Sequence, residues 1–296
     1  MTIYMTFLKN CLFALLFCCL AHGLCAQTHC TAASRQLCEA ELQRLQDPAL
    51  QARPIHELAL EVGTHFLGTP YQAHTLETEG EEQLVIELEG LDCTTFIENV
   101  VVFSRLAKLG HTSFEAFERE LERIRYRNGS RNGYSSRLHY FTEWIQNNEE
   151  KGIIRDVSKE IGGIPYQKPL NFMSTHRDSY RQLAEQAHYA AIVQIEQQLN
   201  QTQRPRYYLP KERLQSLESG LQDGDLVAIT TTIKGLDVVH TGMVKWQDGR
   251  PHLFHASSKN KKVEISDEPL ADYLMASKIR SGIIVCRLVE PLKTGE

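Results

Sequence analysis

Apolar positions recur at helical spacing through the first two-thirds of the chain and at strand-like spacing in the last third. Within residues 27–55, Cys38, Leu42, Leu45 and Ala49 fall on one face and predict a helical arm packed on the body. Residues 91–110 predict one helix with Phe96, Val100, Phe103 and Ala107 as its buried stripe and Gly110 as its stop. Residues 111–215 mix helical stretches with loops rich in Gly, Asn and aromatics. Residues 222–290 instead read as strands, DLVAITT, VVHTGMVKW, HLFHASS, KVEI and GIIVCRL, parted by polar turns. Helices first and strands last, without alternation, predict an α+β fold with an antiparallel sheet. The domain reading is a helical arm over 27–55 and a main domain over 56–296, carrying a large helical insertion at about 111–215.

The first 26 residues stand apart. Lys9 precedes an apolar run at residues 11–20 (CLFALLFCCL), followed by the small residues Ala21, Gly23 and Ala26. A membrane span needs about 20 apolar residues, so this run is too short to be one. The pattern predicts a signal peptide over 1–26, an exported and periplasmic protein, and no transmembrane segment in the mature chain.

Composition narrows the class. With 42% hydrophobic and 23% charged residues the chain is globular, and a net charge of −5 without a basic stripe argues against nucleic acid as a partner. A monomer is expected. Four of the eight cysteines lie in the leader. Of the rest, Cys30 and Cys38 are close enough in sequence for a local disulfide, and Cys286 sits in an apolar strand as an inert thiol. Cys93 is left unpaired, which in an exported protein calls for a reason.

The sequence around Cys93 supplies one. Asp92 is a natural N-cap, so the thiol falls in the first turn of a helix, where free N–H groups and the positive dipole end favour thiolate. The dipole contributes at most about 2 kcal/mol, so a histidine partner is still required. A cysteine that only packs at a helix start fits the position equally well. Among the histidines, His240 is mid-strand. If Asp248-Gly249 closes a two-residue hairpin, Val244 faces Leu253, Gly242 faces His255, and His255 lies diagonal to His240 on one face. His252 then points the other way. Cys93, His240 and His255 would serve as nucleophile, base and orienter, although structural histidines satisfy the same periodicity.

The ordered series Gly68-Thr69-Pro70-Tyr71, Asp92-Cys93-Thr94, Gly224-Asp225-Leu226-Val227, His240-Thr241-Gly242-Met243 and Phe254-His255-Ala256 resembles that of NlpC/P60 cell-wall hydrolases. LDCTTFIENV, RYRNG, SRLHYFTEWI, NFMS and GLDVVHTG resemble more closely the branch called domain of unknown function 1460, which is N-acetylmuramoyl-L-alanine amidase-like. The resemblance spans about residues 56–290. It implies a papain-like fold, peptidoglycan as substrate, a catalytic set of Cys93, His240 and His255, and an active-site tyrosine at Tyr71. The long stretch between Cys93 and His240 departs from compact members and implies an added wall over the cleft.

Peptidoglycan stems carry D-Glu and often diaminopimelate carboxylates, so Arg137 and His139 in the insertion are candidate binding residues. Asp92 is another, because NlpC/P60 endopeptidases use that aspartate to hold a free L-Ala amine. The expected reaction is acyl transfer without metal or cofactor, since no HExxH pattern appears and His252-x-x-His255 alone is weak. The bond expected to break is the N-acetylmuramoyl–L-alanine amide of peptidoglycan fragments, including anhydro-muropeptides. A γ-D-glutamyl–diamino-acid endopeptidase and a non-catalytic wall-binding protein are the alternatives.

Overall fold

The computed structural model describes residues 28–201 and 205–292. The leader expected over 1–26 lies outside them. A short strand β1 (Thr28–Cys30) leads into helix α1 (Ala32–Arg44), capped by the Thr31 hydroxyl on the Ser34 amide. Helix α2 (Ile55–His65) follows, then strand β2 (Leu84–Ile86), which pairs in parallel with β1. Helix α3 (Cys93–Leu109) is the central element, and α4 (Phe114–Arg125) and α5 (Phe141–Glu150) flank it. Strands β3 (Ile154–Asp156) and β4 (Ile164–Tyr166), helix α6 (Gln186–Gln201), strand β5 (Arg206–Pro210) and helix α7 (Lys211–Leu217) complete the expected insertion. The last third holds β6 (Leu226–Thr231), β7 (Val238–Gln247), β8 (Arg250–Ser257), β9 (Lys262–Pro269), helix α8 (Leu270–Met275) and β10 (Arg280–Leu288).

The main sheet runs β4-β5-β10-β6-β7-β8-β9, with β3 pairing on β10 as well, and its pairings are antiparallel. The insertion is therefore not purely helical: β3, β4 and β5 extend the sheet. Both sheet faces are covered, which explains why the strands read as near-continuous apolar runs. Leu226, Ala228, Met243, Phe254 and Ile284 meet Phe96, Val100 and Phe103 of α3 on one face. Val227, Ile229, Val244, Leu253 and Ile283 meet Leu214, Leu270 and Leu274 from α7 and α8 on the other.

Helix α3 ends at Gly110, whose φ of 72° is the left-handed cap a glycine supplies without strain. The N-terminal stripe needs a correction at its last position. Cys38, Leu42 and Leu45 are buried, but Asp47-Pro48 starts a new turn, so Leu50 fills the buried slot and Ala49 is exposed. The expected Cys30–Cys38 disulfide is also corrected. Both are free thiols: Cys30 lies on β1, paired with β2, and its Sγ donates to Thr31 O, while Cys38 is buried on α1. Cys286 is buried on β10, where burial pushes its thiol far above the usual range.

Candidate active site

Asp92 caps α3. Its Oδ1 accepts from the Thr94 and Thr95 amides at 3.0 and 2.8 Å, while Thr95 Oγ1 accepts from the Asp92 amide at 2.9 Å, closing a capping box. Cys93 is thereby fixed as the first residue of the helix. The capping corrects one expectation about this turn. Two of its amides are consumed by Asp92, whereas the Cys93 N–H has no hydrogen-bond acceptor among the described residues.

Tyr71 is brought to the same place by the chain before it. The amides of Gly68 and Tyr71 donate to the carbonyls of Val263 in β9 and of Lys261 just before it, and the Leu91 amide donates to Pro70 O. A bridge between Tyr71 and Leu91 lays the tyrosine beside the helix start. Burial, and then the nearby Cys93 and Asp92, push its hydroxyl up to about 12, so it stays a donor at physiological pH.

The hairpin of β7 and β8 has the register expected from Asp248-Gly249. Both turn residues have positive φ, as a two-residue type I′ turn demands, and Val244 pairs with Leu253 and Lys245 with His252. One consequence is the contact of the two imidazoles. His240 Nε2 lies 2.5 Å from His255 Nδ1, with the rings at 89°. A Cβ on Gly242 would come within 3.0 Å of His255 Cβ, so the glycine makes room for that ring. His252 points away and bonds Ser266 O at 2.8 Å.

Thr241 joins the hairpin to the nucleophile helix. Its hydroxyl donates to Cys93 O at 2.7 Å, placing the residue after His240 against the first turn of α3. Burial and then the Asp92 carboxylate push the Cys93 thiol up to about 11, opposed by hydrogen bonds from Thr241 and Thr94. Burial, then His255 and Arg280, hold His240 well below the usual histidine range. Burial and then Arg280 bring His255 down to about 4. The resting set is thus a neutral thiol with two neutral imidazoles, in keeping with a helix dipole too weak to activate the thiol by itself. Burial outweighs a dipole worth at most about 2 kcal/mol. No hydrogen bond joins the thiol to either ring among the described residues.

The sequence reading missed several residues that build this geometry. Glu264, opposite His255 in the β8–β9 ladder, places Oε1 4.0 Å from His255 Nε2. Asp237 is buried and accepts from the Thr142 amide and hydroxyl at 2.7 and 2.8 Å, and from the Val238 amide at 2.8 Å, anchoring the start of β7 to α5. Gly235, at φ +80°, sits against Asn171, and its carbonyl accepts from the Asn171 and Phe172 amides. SRLHYFTEWI, NFMS and GLDVVHTG therefore lock together around the strand that carries His240. Only the spacing of Asp237 ahead of His240 was visible, because the partners lie about a hundred residues away.

The expected binding role of Arg137 is corrected. It is 5% exposed, pairs with Glu77 at 2.6 Å and Glu82 at 3.6 Å, and donates to Leu76 O, so the protein's own carboxylates occupy it. His139 is half-buried, donates from Nε2 to Tyr134 O at 2.8 Å and packs on the Tyr134 ring. Burial and then Arg137 keep it neutral, so it carries no charge to offer a carboxylate. Asp92 Oδ1 is spent on the cap, while Oδ2 has no hydrogen bond among the described residues. No group of three or more His, Cys, Asp or Glu among the described residues could hold a metal ion.

With this geometry in view, residues 61–283 match the family model described as AmiA-like, N-acetylmuramoyl-L-alanine amidase-like. The chain is 39% identical to an N-acetylmuramoyl-L-alanine amidase from Bacteroides uniformis, covering 79% of this chain and 99% of that one with a TM-score of 0.75. A Bacteroides fragilis protein carrying the provisional name xylanase is 36% identical, covering 76% and 99% with a TM-score of 0.72. A Legionella pneumophila protein of the domain of unknown function 1460 family shares the fold at 22% identity, covering 88% and 97% with a TM-score of 0.64. Nothing among the curated proteins matches.

Proposed function

We propose, from the premise that the chain belongs to the N-acetylmuramoyl-L-alanine amidase-like family, that it is an exported cysteine amidase of papain-like, NlpC/P60 type. Its substrate is the N-acetylmuramoyl–L-alanine amide of peptidoglycan fragments, anhydro-muropeptides among them. The observation that carries the mechanism is the convergence at one helix start of Cys93, Tyr71 and, through Thr241, the His240–His255 pair.

The tautomers follow from the contacts. With the Glu264 carboxylate near Nε2–H of His255, the Nδ1 of that ring is free to accept from His240 Nε2–H. This leaves His240 Nδ1 as the unprotonated nitrogen that takes the Cys93 proton as sulfur attacks the lactyl carbonyl. Attack and proton transfer proceed together, because neither partner is charged at rest. The Cys93 N–H and the Tyr71 hydroxyl hold the oxyanion. The imidazolium then protonates the departing L-Ala nitrogen. Water, deprotonated by His240, finally releases the sugar acid from sulfur.

A xylanase would need two carboxyl groups about 5–9.5 Å apart across a glycosidic bond, whereas here Asp92 Oδ1 caps the nucleophile helix and Glu264 faces the His255 ring, so the two carboxylates serve the thiol and imidazole set. The deciding test is digestion of a muramoyl tri- or tetrapeptide followed by mass spectrometry. Free sugar acid and an intact peptide beginning with L-Ala are expected. Release of an L-Ala–D-Glu dipeptide from a free tripeptide, with the sugar amide untouched, would establish the endopeptidase, with the Asp92 carboxylate holding the amine. Binding of substrate without turnover would establish the wall-binding protein.

A further inference from the structure

Beside the histidine pair lies a cation without an anion. The Tyr273 ring of α8 packs edge-on against His255 at 5.6 Å between centroids. Arg280, at the start of β10, lays its guanidinium over that tyrosine with Cζ 3.7 Å from the ring centre, and its Nη1 donates to Tyr273 O. The stack and the carbonyl fix the fork in place. Among the described residues its Nε and Nη2 have no hydrogen-bond partner, and no carboxylate lies within 4 Å of it. Arg137, by contrast, is saturated by Glu77 and Glu82.

We propose that Arg280, floored by Tyr273, is the specificity residue that grips the free α-carboxylate of the second stem-peptide residue, the γ-linked D-glutamate, on the leaving side of the scissile amide. The inference rests on the amidase reading above. An extended peptide advances about 3.3–3.6 Å per residue, so that carboxylate lies about 7 Å beyond the bond that breaks, and the Tyr273 ring is what separates Arg280 from His255. A planar fork with an open edge suits bidentate capture of a carboxylate and not of a carboxamide. The placement also accounts for a cation beside a catalytic base. Arg280 opposes protonation of both imidazoles, and a substrate carboxylate on its open edge removes that opposition when the imidazolium must form.

The test compares muramoyl-L-alanyl-D-glutamate with muramoyl-L-alanyl-D-isoglutamine, which differ only in that carboxylate, for wild type, Arg280→Lys and Arg280→Gln. Wild type is expected to favour the acid by about 10- to 100-fold in kcat/KM, as one charge-assisted contact allows. Arg280→Gln should bring that ratio close to one, and Arg280→Lys should keep part of it, with melting temperatures confirming folded variants. Equal turnover of both substrates by wild type overturns the inference. So does an unchanged ratio in Arg280→Gln, which would make Arg280 a positioning residue for Tyr273 and His255. If wild type cleaves the lactyl–L-Ala bond of neither compound, nor of the longer muramoyl tri- and tetrapeptides, it is the amidase reading that fails.

Discussion

At Cys93 the thiol sits near 11 while His240 is held neutral, so the free protein stores no thiolate. Alkylation of Cys93 by iodoacetamide, followed by mass spectrometry, should climb with pH toward about 11. A plateau at neutral pH would mean a preformed ion pair. Cys93→Ala and His240→Ala should each remove nearly all turnover, measured on a muramoyl peptide. His255→Ala should leave a remnant, because that ring orients its neighbour, as removal of an orienting group costs less than removal of the nucleophile. His252→Ala should lose little turnover, since its ring faces away and bonds Ser266 O.

Among the elements, the β7–β8 hairpin and helix α3 set the active geometry, and Gly242 is where they are least forgiving. A Cβ there meets Leu253 Cδ1 at 2.7 Å and Phe254 O at 2.8 Å before it reaches His255. Gly242→Ala should cost about 1–3 kcal/mol in urea unfolding. Its turnover should fall further than the folded fraction does, because His255 is displaced from His240. Equal losses in stability and turnover would show that the glycine serves packing alone.

For the whole molecule, a buried ion pair and the two neutral histidines dominate the expected responses. Arg125 joins Glu98 at 2.7 Å and Val85 O at 2.6 Å, tying α4 to the core helix and to β2. Arg125→Ala strands the Glu98 carboxylate and should cost about 3–5 kcal/mol in chemical denaturation. His255 titrates near 4 when folded against an ordinary 6.5. The unfolded chain therefore binds its proton first as pH falls. The stability from the neutral buried ring is complete above pH 6.5 and is lost between there and about 4. Wild type should lose on the order of 3 kcal/mol relative to His255→Gln across that window, a difference in which the carboxylates common to both proteins cancel.

Local signals sufficed wherever the chain acts on itself at short range. Asp92 and Gly110 bound helix α3, Asp248-Gly249 sets a hairpin register, and period-2 alternation then places His255 against His240. These are steric and hydrogen-bonding rules that operate within a few residues. Arg137 shows where such rules stop: its pattern advertises a free cation, yet Glu77 and Glu82, sixty and fifty-five residues earlier, neutralise it. Arg280 is the reverse case, unremarkable in sequence and left without a carboxylate only by the way β10 meets α8. The sheet strands hidden in the insertion, the approach of Glu264 to His255 and the elevation of the Cys93 thiol belong to the same class. Charge pairing and desolvation depend on which distant groups share a volume, and tertiary packing alone decides that.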